Sequence, residues 1–210
     1  MNLNNVKIHT FPFGHCEFSH FFEDNELQDI SNLDIFDEFG NELSKTRTSS
    51  KKRHFVNNDL CKRYPILNKT KNFFASKDTI ELIESFHKLV GTAEKGNSFS
   101  PKSFPQYLRI EIIKDVGESW LEPHCDIIEK YMSMLIFLND CDESHEIGTD
   151  LYVDTSTGKK LVKTVPFINN TGYFFYPSDN TWHGLEKKKI KQHRKIIMVN
   201  YVSFETEIRL

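Results

Sequence analysis

SWLEPHCDII, residues 119–128, sets a histidine and a carboxylate two positions apart in an otherwise apolar run. In an extended strand residues i and i+2 project from one side, so His124 and Asp126 share a face while Cys125 points the other way. A helix would separate them by roughly 200°. Pro123 and the β-branched pair Ile127 and Ile128 favour the strand.

The surrounding sequence has the same texture. From residue 104 onward, short β-rich runs alternate with turn residues: YLRIEII (107–113), WLEPHCDII (120–128), YMSMLIFL (131–138), DLYV (150–153), KLVKTVPF (160–167), GYFFY (172–176), TWHGL (181–185) and HRKIIMVNYVSF (193–204). Short antiparallel strands in this number suit a double-sheet jelly roll, the cupin-like barrel. The first hundred residues read instead as helix and loop. EDNELQDISNL (23–33) predicts a short helix, and SKDTIELIESFHKLVG (76–91) a longer one that Ser76 or Asp78 caps and Gly91 ends. SKTRTSSKKRHFVNND (44–59) is polar and aperiodic, which predicts a surface loop with the length of a binding lid. Helices before strands make the class α+β, mainly β, with N-terminal helices packed on the β core. One domain is expected over 1–210, with a helical and loop part (1–103) and a β core (104–204).

Composition narrows the partners. A net charge of −3 over 210 residues gives no global attraction to nucleic acid or an anionic membrane. The basic run EKKKIKQHRK (186–195) should form a turn between two strands, and the acidic balance of the whole argues against a phosphate-binding surface. Cys16, Cys61, Cys125 and Cys141 lie far apart without a C-x-x-C pair, so they read as free thiols in a reducing compartment. The N-terminus lacks an apolar signal core, and no run nears the roughly 18 apolar residues that span a bilayer. A cytoplasmic protein is the expectation.

A second histidine, His183 in SDNTWHGLE, precedes a glycine that permits close approach of backbone or ligand. Two histidines and one carboxylate are the elements of the facial triad that holds non-haem Fe(II). Three ligands on one face leave three positions: two for a chelating 2-oxo acid and one for dioxygen beside the molecule to be oxidised. The distal carboxylate of such an acid needs a cation. Arg194, eleven residues past His183, carries a planar fork suited to a bidentate grip.

The order H-x-D, a second His about fifty residues on, then Arg about ten residues later resembles the Fe(II)/2-oxoglutarate-dependent dioxygenases, in particular their prolyl-4-hydroxylase-like branch. LRIEIIKDVGESWLEPHCD, SMLIFLND, GTDLYV and YPSDNTWHG are similar to the family's surrounding text, over residues 104–204. The resemblance implies a distorted double-stranded β-helix with His124, Asp126 and His183 as iron ligands and Arg194 as the 2-oxoglutarate anchor. It also implies Fe(II), 2-oxoglutarate and O2 as cofactor and co-substrates, and succinate and CO2 as products. Strand parity from Arg194 carries Ile196, Met198 and Asn200 on its face, so Asn200 is a candidate donor near the pocket. Alignment at the L-N pair puts Ser133, Leu135 and Phe137 inward. Some prolyl hydroxylases carry tyrosine where Phe137 stands, and Ser133 is a candidate to supply the missing hydrogen bond. Arg109 either pairs with Glu111 on its own strand face or grips an acidic substrate at the cavity mouth.

The expected substrate is a small molecule or a glycan, with a prolyl or other protein side chain as the alternative. From other classes, a metal-free jelly-roll binding module would use the same residues as a polar network, and a zinc hydrolase would turn over without oxygen.

Overall fold

The computed structural model describes residues 1–38, 53–91 and 106–210. The chain opens with a hairpin, β1 (Asn5–His9) and β2 (His15–Ser19), followed by α1 (Asp24–Ser31) and a 3-10 turn at Asp34–Glu38. A short strand β3 (Arg53–Phe55) leads into α2 (Asn58–Arg63), α3 (Pro65–Ala75) and α4 (Lys77–Gly91). The β region follows: β4 (Tyr107–His124), β5 (Lys130–Leu138), β6 (Thr149–Thr155), β7 (Gly158–Val165), β8 (Thr171–Phe175), β9 (His183–Val202) and β10 (Ile208–Arg209).

Local chemistry sets the helix starts. Asn57 caps α2 by accepting the Leu60 N–H at 2.8 Å, Pro65 occupies the first turn of α3, and Ser76 accepts the Thr79 N–H at 3.3 Å ahead of α4. The helix expected over 76–91 is α4, and that over 23–33 is α1.

The antiparallel strands run in the order β1-β2-β8-β5-β9-β4-β10, with β6 and β7 joined through β9. The second half of β9 lies between β4 and β5, whereas its first half lies between β4 and β6. β4 and β9 therefore belong to two sheets at once, and the register shift between Asp115 and Gly117 marks the bend. Gly117 takes φ 67°, a conformation that favours glycine. One apolar cluster fills the space between the sheets, with Phe137, Leu151, Phe167, Tyr173, Phe175 and Ile196 among its members. A second packs the outer face of the larger sheet against the helices, with Ile83, Phe74, Leu67, Ile112 and Ile197.

Several expectations are corrected. The runs at 107–113 and 120–128 are one strand, and it ends at His124. Asp126 lies in the connection to β5, a turn closed by the Lys130 N–H to the Ile127 carbonyl at 3.1 Å. Ile127 and Ile128, read as strand formers, are exposed there. The basic run 186–195 is no turn but the middle of β9, with Ile190 buried and Glu186, Lys187 and Lys189 facing solvent. Within the expected loop 44–59, Arg53–Phe55 is strand and helix α2 begins at Asn58, while 44–52 lies outside the described residues. The N-terminal hairpin was not foreseen.

Candidate metal centre

His124 ends β4, His183 begins β9, and the two are register partners. Their rings lie 4.3 Å apart between centroids. Each is oriented by the carbonyl two residues before it: His124 Nδ1 lies 3.0 Å from the Glu122 oxygen and His183 Nδ1 lies 2.9 Å from that of Thr181. A carbonyl only accepts, so both rings carry their proton on Nδ1 and keep the Nε2 lone pair free for a metal. Burial pushes the His183 imidazolium pKa down to about 4 against the opposing pull of Asp126, which keeps the ring neutral.

Asp126 folds back from the turn so that its Oδ2 sits 3.9 Å from His183 Nε2. The ligand atoms of His124, Asp126 and His183 all fall within 4.8 Å of one another. The H-x-D pair meets because a strand end and a turn converge; one strand face does not carry both residues. Burial opposes the Asp126 charge, yet the Lys130 ammonium, His183 and the bonds from Lys130 and Ser133 outweigh it and hold the carboxyl well below its usual range. Lys130 Nζ donates to Oδ1 at 2.7 Å and the Ser133 hydroxyl to Oδ2 at 2.6 Å. Asn200, fully buried, stands 3.0 Å behind the same hydroxyl. Lys130 and Ser133 thus brace the carboxylate, with Asn200 behind the serine. The one proton of Ser133 is spent on Asp126, so the expected role of this serine as a co-substrate donor gives way to that of an orienting group.

The three residues line a cavity of about 110 Å³ whose wall also includes Arg194, Leu135, Ile196, Met198 and Thr149. Arg194 is buried between the Phe137 and Phe167 rings. It donates to Asp115 Oδ2 at 2.8 Å and to the carbonyls of Ile147 at 2.6 Å and Gly148 at 3.1 Å. Those bonds take three of the five guanidinium N–H groups and leave one on each terminal nitrogen, the pair a carboxylate engages. A Cβ on Gly148 would lie 1.7 Å from the Val165 carbonyl oxygen, so glycine is what lets this backbone close in.

Arg109 is not in this cavity. It pairs with Glu111 at 2.9 Å, lies 4.7 Å above the Phe55 ring and lines a separate pocket with Phe204. Arg53, which shares Glu111 at 3.1 Å, lines the metal cavity in its place. Two further groups of metal-ligating types, His9–His15–Glu17 and Asp140–Cys141–His193, line neither this cavity nor its mouth. The first closes on the Lys163 ammonium, 3.1 Å from His15 Nε2, and the second on Lys195, 2.7 Å from Asp140.

The fold has solved relatives. A Pseudomonas putida prolyl-4-hydroxylase superposes with a TM-score of 0.59 at 9% identity, over 92% of this chain and 95% of that one. The chain has the prolyl-hydroxylase fold. A prolyl hydroxylase from Trichoplax adhaerens, solved in complex with a hypoxia inducible factor oxygen degradation domain peptide fragment, superposes with a TM-score of 0.55 at 15% identity, over 91% of this chain and 84% of that one. The non-heme alpha-ketoglutarate-dependent epimerase SnoN from nogalamycin biosynthesis gives 0.52 at 12% identity, over 90% and 78%. No family model and no curated protein sequence matches the chain. Of the residues lining this cavity, sequence reading missed Lys130 and Thr149.

Proposed function

We propose that the chain is an Fe(II)- and 2-oxoglutarate-dependent dioxygenase that hydroxylates a small-molecule or glycan-type substrate, with 1–210 forming one catalytic domain. The observation that carries this reading is the convergence of two Nε2 lone pairs and one charged carboxylate on a cavity that also holds a buried arginine. The donor set suits iron: neutral imidazoles and a carboxylate, on one side only. Bound there, Fe(II) would couple oxidative decarboxylation of 2-oxoglutarate, giving succinate and CO2, to oxidation of the second substrate.

The chain's own residues do the positioning. His124, Asp126 and His183 hold the metal; Lys130 and Ser133 fix which carboxylate oxygen faces it; Arg194 takes the distal carboxylate of 2-oxoglutarate. Leu135, Ile196 and Met198 present an apolar wall that excludes water from the stem between. A protein side chain is the second substrate reading, because a protein of the same fold was solved with a peptide bound.

Anaerobic titration with Fe(II) and then 2-oxoglutarate should give a stoichiometric complex with its own visible absorption band, and aerobic incubation should release succinate. Asp126→Ala should abolish both while the melting curve stays cooperative. Full coupled succinate release from that variant would overturn the assignment, and failure of the wild type to bind metal would favour a metal-free binding module.

A further inference from the structure

Arg53 reaches the metal cavity from the short strand β3, and no role assigned above uses it. It stands opposite Ile113 of β4, which stands opposite Ile196 of β9. Directly opposed residues share a sheet face, and Ile113 and Ile196 both line the cavity, so this row carries the guanidinium to the interior. Glu111, two positions before Ile113 on the same face, is buried and accepts from Arg53 Nη1 at 3.1 Å. The same carboxylate faces Arg109 Nε at 2.9 Å.

One carboxylate between two guanidinium groups leaves one positive charge in surplus. The other charges of the cavity wall cancel in pairs, Lys130 with Asp126 and Arg194 with Asp115, and 2-oxoglutarate would bring two negative charges to match Fe(II). Arg53 also keeps donors in hand. Its bond to Glu111 takes one of five N–H groups, and no other hydrogen bond from it is formed among the described residues. The side chain is 32% exposed, so an anion entering from solvent can meet it. Beside the metal residues the wall is apolar instead: Leu121 and Leu185 form the register pair next to His124 and His183, and Trp120 lines the cavity with them. Arg53 faces the stretch of β4 before its bend, and the two leucines lie beyond that bend.

We propose that the substrate oxidised at this site is a small carboxylic acid, held with its carboxylate on Arg53 and its apolar stem against Trp120, Leu121 and Leu185. The inference rests on the dioxygenase reading above and narrows its substrate class. A carboxylate fits the arginine fork and carries the single negative charge that the surplus calls for, whereas a phosphate group brings nearly two. Bound in this way, the acid presents its hydrocarbon to the iron and keeps its charge away from it, which sets the position of oxidation on the stem.

The test uses protein loaded anaerobically with Mn(II) and 2-oxoglutarate, and follows by NMR the binding of hydrocinnamate, hexanoate and N-acetyl-leucine, each against its primary amide. Wild type should bind at least one acid about tenfold or more tighter than its amide. Mn(II) should broaden the stem resonances of that acid more than those next to the carboxylate. Arg53→Met should bring the acid down to the affinity of the amide and leave the amide unchanged, with Arg53→Lys between. Glu111 keeps Arg109 in both variants, so no buried charge is stranded, and a melting curve checks that they fold. Equal affinity for every acid and its amide in wild type, or a preference that survives in Arg53→Met, would overturn the inference while 2-oxoglutarate binding in the same samples upholds the dioxygenase reading. Acid binding without broadening would place the acid away from the metal and overturn the inference as well. Absence of 2-oxoglutarate binding by the wild type would sink both.

Discussion

Asp126 is braced from two sides: Lys130 holds one oxygen at 2.7 Å and Ser133 the other at 2.6 Å. A carboxylate on a turn has many rotamers, and ordering it before the metal arrives removes part of the entropic cost of binding. Ser133→Ala should therefore weaken Fe(II) or Mn(II) binding by about 10–100-fold with little change in melting temperature. A metal titration of that variant checks it, and unchanged affinity would mean that Lys130 alone sets the rotamer. Of the residues at this site, the two histidines and the carboxylate were legible in sequence because their chemistry is scarce and their order is informative. Lys130 was not legible, since a lysine at the start of a strand is most often a solvated charge. Its bond to Asp126 comes from a turn geometry that no periodicity encodes.

At the scale of the element, the site depends on how closely β4 and β9 approach where His124 faces His183. Gly184 enforces that approach: a Cβ there would stand 2.5 Å from the Leu121 carbonyl oxygen. Gly184→Ala should force the strands apart, lowering stability by about 1–3 kcal/mol and weakening metal binding with it. Chemical denaturation and metal titration of the same sample test whether the two losses come together. The runs on either side of each bend were readable as strands, yet their continuity was not. KDVGES and EKKKIKQ look like turns because one carries a glycine and the other a charge run, whereas in the fold the glycine supplies a bend within β4 and the charges supply the solvent face of β9. The hairpin β1–β2 escaped for a related reason. β1 is an edge strand with no buried residue, so it lacks the alternation that marks a half-buried strand.

At the scale of the whole molecule, Arg194 joins three parts of the chain: its own strand β9, Asp115 at the bend of β4, and the carbonyls of Ile147 and Gly148 that lead into β6. One guanidinium thus ties the two sheets together at the end of the cavity and also offers its remaining N–H groups to a ligand. These roles make a single substitution ambiguous. Arg194→Met strips the buried Asp115 carboxylate of its guanidinium, a change that costs about 3–5 kcal/mol for a buried pair broken on one side. Loss of 2-oxoglutarate binding could then follow from disorder of the sheets alone. Replacing both partners separates the effects, because a buried ion pair exchanged for apolar side chains is often near neutral. Arg194→Met combined with Asp115→Leu should recover most of the stability lost in the single variant, read by denaturant midpoint, while its affinity for 2-oxoglutarate stays as low as that of Arg194→Met. Affinity that returned with stability would make the arginine a tie between sheets and leave the distal carboxylate to other donors in the cavity.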